Sequence, residues 1–208
     1  MTLTTLATAL ATNVGMSIPV GITGQTDRNA LEIVQTTQEA ADEITRRVDW
    51  RALQRQYGIN GEPAGLVEAP LPAYFQRVVP GSGVVEGASR ASLRPMSAAE
   101  WQVITPAPGV PRYYSLAVTT SLVSSIRFHP YMVSGQTCLL HYYSSAWCSN
   151  GTNKWSADDN TALISEDLIL KGSIVRWRRR KGMDYADFEA EYEAAMSDAA
   201  AFDDGGAV

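Results

Sequence analysis

The sequence predicts an α+β protein in which N- and C-terminal helix pairs form a helical bundle with an inserted antiparallel β-rich segment. Apolar residues recur at helical spacing near both ends of the chain. The middle instead contains many glycines, prolines and serines between short runs of β-forming residues. We therefore expect the bundle in residues 1–56 and 156–200, the β-rich insert in 57–155, and a flexible C-terminal arm in 201–208.

Two helices are predicted near the N-terminus. The first begins after Thr2, a suitable capping residue, and ends at Gly15. Thr26 or Asp27 caps the second helix, whose polar residues mostly occupy one side. The apolar stripe predicted for this second helix consists of Leu31, Val34, Ala41, Ile44 and Val48.

The insert is expected to form a small antiparallel sheet or sandwich. Its predicted strands cover residues 73–79, 113–118, 124–128 and 137–146. Loops at 80–87 and 149–155 are expected at its edges.

Two further helices are predicted over residues 165–181 and 184–200, separated by Gly182. Ser165 caps the first of them, and Gly172 indicates a close approach by a neighbouring helix. A basic cluster closes this helix, where cations complement the helix dipole. The cluster consists of Arg176, Arg178, Arg179, Arg180 and Lys181.

The charge of the chain is concentrated at one end. The 208 residues carry a net charge of -5, yet residues 184–204 alone contain eight acidic residues and no basic one. The basic cluster has two interpretations, contact with nucleic-acid phosphates or ion pairs with the acidic helix that follows it. The residues alone favour the ion pairs, for example Arg180 with Asp184 or Asp187.

Cys138 and Cys148 are the only cysteines, too few for a four-cysteine zinc site. Their spacing permits a hairpin disulfide, but we expect both thiols to be reduced and buried. Residues 1–15 lack the basic start of a signal peptide, and no apolar run is long enough to span a bilayer. We expect a soluble protein made in a cytoplasm.

The sequence offers little support for catalysis. His129 and His141 are isolated, and no phosphate-binding or dinucleotide-binding glycine motif occurs. The acidic pairs at 158–159 and 166–167 are readily explained as charges at a helix start. We therefore predict no catalytic residues, no cofactor and no metal site.

A series of short segments in fixed order covers nearly the whole chain. They are VDWRAL at 48–53, LPAYF at 71–75, YY at 113–114, FHP at 128–130, LHYY at 140–143, LISEDLI at 163–169, RWRRRKGMDYA at 176–186 and YE at 192–193. In order and spacing the series resembles head-to-tail adaptor (connector) proteins of tailed bacteriophages, the group that includes tail tubular protein A and the tail accessory factor of short-tailed phages. The segment at 176–186 is the most specific.

The resemblance implies a structural protein of the virion, made in the host cytoplasm and placed at the head–tail junction. Such adaptors form a ring, usually dodecameric, beneath the portal, extend the DNA channel and provide a platform for further tail proteins. The implied partners are other copies of the chain, the portal protein and the next nozzle or tube protein. Genomic double-stranded DNA passes through the channel without sequence-specific binding, and no membrane is involved.

Two candidate sites follow from the resemblance. The proposed portal-docking arm contains Ala201, Phe202, Asp203, Asp204 and Val208. The basic cluster is the candidate for subunit-interface or DNA-channel charges. Two alternative functions stay open, a peptidoglycan or glycan hydrolase of the virion that uses a carboxylate pair, and a tail-completion or terminator protein.

Overall fold

The computed structural model describes residues 1–17, 21–81, 83–119 and 122–203. Within them the protein has a mixed α+β fold with five α-helices and two four-stranded sheets. The helices are α1 Leu3–Val14, α2 Arg28–Arg47, α3 Ala98–Val103, α4 Glu166–Arg180 and α5 Ala186–Asp203. The strands are β1 Gln54–Asn60, β2 Leu66–Pro70, β3 Phe75–Val78, β4 Val84–Glu86, β5 Arg94–Pro95, β6 Tyr113–Thr119, β7 Leu122–Met132 and β8 Thr137–Ser144.

The chain divides into two compact units. The terminal unit combines Met1–Leu53 with the chain from Ser145 onward, and the central unit is Gln54–Ser144. The core of the terminal unit is formed by α1, α2, α4 and α5 together with the fully buried Trp147. The core of the central unit contains Ile126 and Phe128 of β7 and Leu140 of β8.

The predicted arrangement, a helical bundle with an inserted β-segment, is wrong. Two four-stranded sheets take up the middle of the chain, and they are larger than the small antiparallel sheet or sandwich that we expected. They are not entirely antiparallel either, because β5 pairs in parallel with β6. Too few strands are predicted from the sequence, because strands such as β1, with the sequence QRQYGIN, are mostly exposed and lack alternating apolar residues.

In one sheet, β8 lies at the centre and pairs antiparallel with β1, β3 and β4. Alternate residues of β8 are buried, as expected for a strand with one face on a core. The other sheet has the order β2-β7-β6-β5, with β5 at its edge. Strand β4 lies inside the predicted loop 80–87, so that prediction is also wrong.

The helix boundaries are mostly predicted correctly. Thr2 caps α1, Asp27 caps α2 and Ser165 caps α4, each by accepting a hydrogen bond from a backbone N–H of the first turn. Gly15 ends α1 in the left-handed conformation at φ 70°. Both cysteines are free and buried, which confirms that prediction.

The buried face of α2 differs from the predicted stripe. Leu31 is 53% exposed, whereas Ile33 and three threonines are buried. Thr37 and Thr45 bury their hydroxyls by donating them to backbone carbonyls four residues earlier, at 2.9 and 2.8 Å. This internal hydrogen bonding allows polar residues to face the core, so a purely apolar pattern misplaces the face.

Candidate interaction surfaces

Three members of the basic cluster form ion pairs with α2. Lys181 Nζ lies 2.8 Å from Glu32 Oε2, Arg180 is paired with Glu39, and Arg176 is paired with Glu43. Residues later along α2 pair with residues earlier along α4, so these ion pairs connect two antiparallel helices. Hydrogen bonds from Lys181 and then Arg28 lower the pKa of Glu32.

The other two members of the cluster contact the start of α5. Arg178 Nε donates to the backbone oxygen of Asp184 at 2.6 Å, and its guanidinium lies 4.3 Å from the centroid of the Phe188 ring. Arg179 Nη2 lies 2.7 Å from Glu189 Oε1, and its guanidinium lies 4.7 Å from the ring centroid of Tyr185. Every charge of the cluster therefore has a partner within the chain.

The predicted pairing with the acidic helix holds for Arg179, which binds Glu189, but the named example is wrong. Arg180 binds Glu39 of α2 and not Asp184 or Asp187. A spacing signal was present in the sequence, because Glu39 and Glu43 are four residues apart on one helix and Arg176 and Arg180 are four apart on another. Finding these pairs also required the antiparallel packing of α2 against α4, which helical periodicity does not specify.

Helix α5 presents a long exposed face. Only Tyr192 and Met196 are fully buried in this helix, which contains no basic residue. We define the α5 outer face by its exposed, mostly small or acidic residues at helical spacing: Asp187, Ala190, Ala194, Ser197, Asp198 and Ala201. Within the part of the chain that the structure describes, Asp187 and Asp198 carry no ion pair, whereas Glu189, Glu191 and Glu193 each have one.

The predicted portal-docking arm is helical at its start. Ala201, Phe202 and Asp203 belong to the last turn of α5, so the helix extends three residues beyond its predicted end. The Asp203 carboxylate accepts a hydrogen bond from the backbone N–H of Arg51 at 2.7 Å, and the Phe202 side chain is 85% exposed. The remainder of the arm, 204–208, including Asp204 and Val208, lies outside the described residues.

One cavity of the terminal unit brings two carboxylates together. Asp167 and Glu191 line a space of about 170 Å³, and both bind Lys171 Nζ, at 3.4 and 3.0 Å. Hydrogen bonds to Glu191 and Asp167 raise the pKa of Lys171. This arrangement is a salt-bridge network that joins α4 to α5.

Among 1–17, 21–81, 83–119 and 122–203, no group of three or more histidine, cysteine, aspartate or glutamate side chains is arranged to hold a metal ion. None of the helices over the same residues combines the length and the apolar character needed to cross a bilayer.

Comparison with known families accounts for nearly the whole chain. The sequence profile of the SU10 adaptor protein family matches residues 1–207. The chain belongs to the SU10 adaptor protein family. As an SU10 adaptor protein it is a phage structural protein and a component of the virion. Among curated proteins, none matches the sequence of this SU10 adaptor protein significantly.

Proposed function

We propose that this SU10 adaptor protein forms a homo-oligomeric, dodecameric ring beneath the portal at the head–tail junction. The ring extends the DNA channel and provides a platform for the next nozzle or tube protein, as implied by the resemblance to tail tubular protein A and the tail accessory factor. The observation that carries this proposal is the family match across residues 1–207. An adaptor has to contact a head component on one side and a tail component on the other.

The charges of the protein agree with a channel that DNA crosses without being held. A protein that binds DNA tightly neutralises many phosphates with unpaired lysines and arginines. Here four of the five members of the basic cluster form ion pairs with acidic residues of the chain, and the net charge is -5. We propose that the cluster stabilises the subunit near a boundary between copies and does not bind phosphates of the genome.

We further propose that the arm from Ala201 to Val208 docks on the portal. Phe202 offers an apolar anchor, because its side chain is 85% exposed at the end of α5. The residues after Phe202 include aspartates and glycines, and fixing any such segment on a partner costs conformational entropy. Many such arms bound to one portal ring gain avidity, which offsets this cost.

Co-sedimentation with the purified portal protein tests the adaptor function and the docking arm. We expect the full chain to sediment with the portal, and two variants to lose attachment: a chain truncated after Asp203, and Phe202→Ser. The truncation leaves the Asp203–Arg51 contact in place, so circular dichroism should show an unchanged fold. The variant Leu116→Ser, which alters another exposed apolar residue, is the control.

The outcomes separate the adaptor function from the docking arm. If the full chain does not attach to the portal, the adaptor function is contradicted. If the full chain and both variants attach equally, the adaptor function stands and the docking arm is rejected.

A further inference from the structure

The central unit contains a cavity of about 550 Å³ beside the edge strand β5. Arg94 of β5 and Arg112, which directly precedes β6, both line this cavity. Their backbones are adjacent, because the N–H of Arg94 donates to the backbone oxygen of Arg112 at 2.9 Å. The N–H of Arg112 in turn donates to the oxygen of His129 at 3.0 Å. Two neighbouring hydrogen bonds therefore fix the positions from which the two guanidinium groups extend.

The two arginines differ from the basic cluster in their partners. Within the described residues, neither Arg94 nor Arg112 forms an ion pair, although every member of the basic cluster has a partner in the chain. Both arginines are exposed. An exposed guanidinium without a carboxylate keeps its full capacity for a bidentate contact with an anion.

Within the described residues one carboxylate lines the cavity, and it is committed to its own loop. Glu86 is 6% exposed and accepts hydrogen bonds from the backbone N–H groups of Ala88 and Ser89, at 3.1 and 2.5 Å. Hydrogen bonds from Ser89 and then from Ala88 keep the pKa of Glu86 below its ordinary value. The two guanidinium groups and the one carboxylate that line the cavity sum to a charge of +1. One further carboxylate would neutralise this charge.

We propose that this cavity binds the carboxylate of Asp198 on the α5 outer face of a second copy of the chain. The inference rests on the proposed ring and identifies one of its contacts. Asp198 has no ion pair in the described part of its own chain, and Ala194 and Ala201 lie beside it on the same face. These small side chains permit a close approach of the helix. Asp187 is less suited, because it lies in the first turn of α5 and has a small neighbour of this face, Ala190, on one side only.

The charges of the two units favour such a contact. The central unit has six basic and four acidic residues, a net charge of +2, whereas the terminal unit has eleven basic and eighteen acidic residues, a net charge of -7. Opposite charges on two different surfaces favour a contact between unlike surfaces of neighbouring copies. A contact of this heterologous kind forms a ring when its rotation closes.

The lining of the cavity suits a helix that carries both carboxylates and methyl groups. Ala91 and the 53% exposed Val110 lie beside the arginines. They provide apolar surface for Ala194 and Ala201 while Arg94 and Arg112 bind Asp198. The phosphates of a DNA duplex would use the two guanidinium groups but would leave this apolar surface unmatched.

A charge exchange tests the proposed contact in the full chain. One variant is Arg94→Glu/Arg112→Glu, and the other is Asp198→Arg. Self-association is measured by sedimentation over a range of protein concentrations, and by native mass spectrometry on portal rings. We expect each variant alone to associate at least about tenfold more weakly than the wild type, because like charges replace an attractive pair.

Mixing the two variants should restore association. In the mixture, the cavity of Arg94→Glu/Arg112→Glu is acidic and faces the basic side chain of Asp198→Arg. The unaltered cavity of Asp198→Arg faces the Asp198 that the double variant retains. Two matched controls, Asp187→Arg on the same helix and Lys154→Glu elsewhere, should associate like the wild type. Equal association of all chains, or no recovery on mixing, overturns the proposed contact.

Two other results also overturn the proposed contact. In the first, wild-type copies bind portal rings singly and never associate with each other, so attachment to the portal does not need this contact. In the second, Arg94→Glu/Arg112→Glu self-associates like the wild type but no longer binds duplex DNA. This result would show that the two arginines bind DNA phosphates. Failure of the wild type to bind the portal at all would instead count against the proposed function.

Discussion

The guanidinium of Arg47 binds the carboxylate of Glu193 through both of its terminal nitrogens, with Nη1 2.7 Å from Oε1 and Nη2 2.5 Å from Oε2. This bidentate contact joins α2 to α5, and Arg47 also lies 6.0 Å from the ring centroid of Tyr192. Together with the ion pairs between α2 and α4, it connects three helices of the terminal unit by charge. The helix that carries the α5 outer face is thereby held in place.

Replacing Glu193 by glutamine should reduce the loss of stability in acid. The hydrogen bond from Arg47 lowers the pKa of Glu193 in the folded protein. The stability from this pair is therefore present above the unfolded pKa, about 4.3, and is lost as the pH falls through the lower folded value. We expect the difference in melting temperature between pH 7 and pH 3 to be smaller for Glu193→Gln than for the wild type.

The matched control for this prediction is Glu62→Gln. Glu62 is exposed and has no ion pair within the described residues. This control should keep the pH dependence of the wild type. At pH 7 the Glu193 variant should lose less than about 1 kcal/mol of unfolding free energy, because both partners are partly solvated. An unchanged pH dependence in Glu193→Gln would show that the pair does not form.

Alanine at Gly172 should destabilise the packing of α4 against α5. A Cβ there would lie 3.1 Å from Cε2 of the buried Tyr192 and 3.0 Å from Nη1 of Arg176. Overpacking costs about 1–3 kcal/mol, whereas the helix propensity gained from glycine to alanine is about 1 kcal/mol. We expect a net loss of unfolding free energy in urea titrations.

The control for the glycine substitution is Gly58→Ala in β1, where the new Cβ has its nearest contact 4.0 Å away, at Leu139. It should change stability little. A stabilised Gly172→Ala would mean that the Tyr192 ring moves aside and that helix propensity decides the outcome.

Phenylalanine at Trp147 should destabilise the terminal unit by about 2–4 kcal/mol, because it removes buried volume and a hydrogen bond. Trp147 is fully buried, its Nε1 donates to Asp42 Oδ1 at 2.8 Å, and its ring meets Trp155 edge-on at 4.7 Å between centroids. Urea unfolding followed by circular dichroism measures the effect. The variant Asp42→Asn keeps an acceptor oxygen for the indole and should lose less than about 1 kcal/mol of unfolding free energy. An equal loss in Trp147→Phe and Asp42→Asn would contradict the role of indole burial.

The two thiols should be unreactive in the folded protein. Burial raises the pKa of Cys138 to about 12, so almost no thiolate is present at neutral pH, and Cys148 is also buried. Titration with a thiol-specific disulfide reagent should modify neither cysteine in native buffer and both in denaturant. Fast modification of the native protein would show that one of the units opens.

The sequence is informative wherever local chemistry decides the structure. The caps at Thr2 and Ser165 were predicted, and Asp27 was one of two candidates for α2, because an oxygen-bearing side chain has to satisfy the first free N–H groups of a helix. The close approach at Gly172 was predicted for a similar reason, since a missing Cβ indicates a neighbour. Strand β8 was found because residues 137–146 are rich in β-forming residues.

Features that depend on tertiary packing were missed. The strands β1 and β4 become strands through pairing with β8, and their own residues show no clear period. Arg180 takes Glu39, more than 140 positions away, because α2 and α4 lie side by side. The cavity at Arg94 and Arg112 depends on a parallel pairing of β5 with β6, which neither segment reveals alone.

Cryo-electron microscopy of intact phage particles tests the central claim, a ring of this adaptor between portal and tail, most directly. The account predicts density for multiple copies of the chain arranged in a closed ring at the head–tail junction, in contact with the portal and surrounding the DNA channel. Single copies of the chain, or a position elsewhere in the particle, would contradict it.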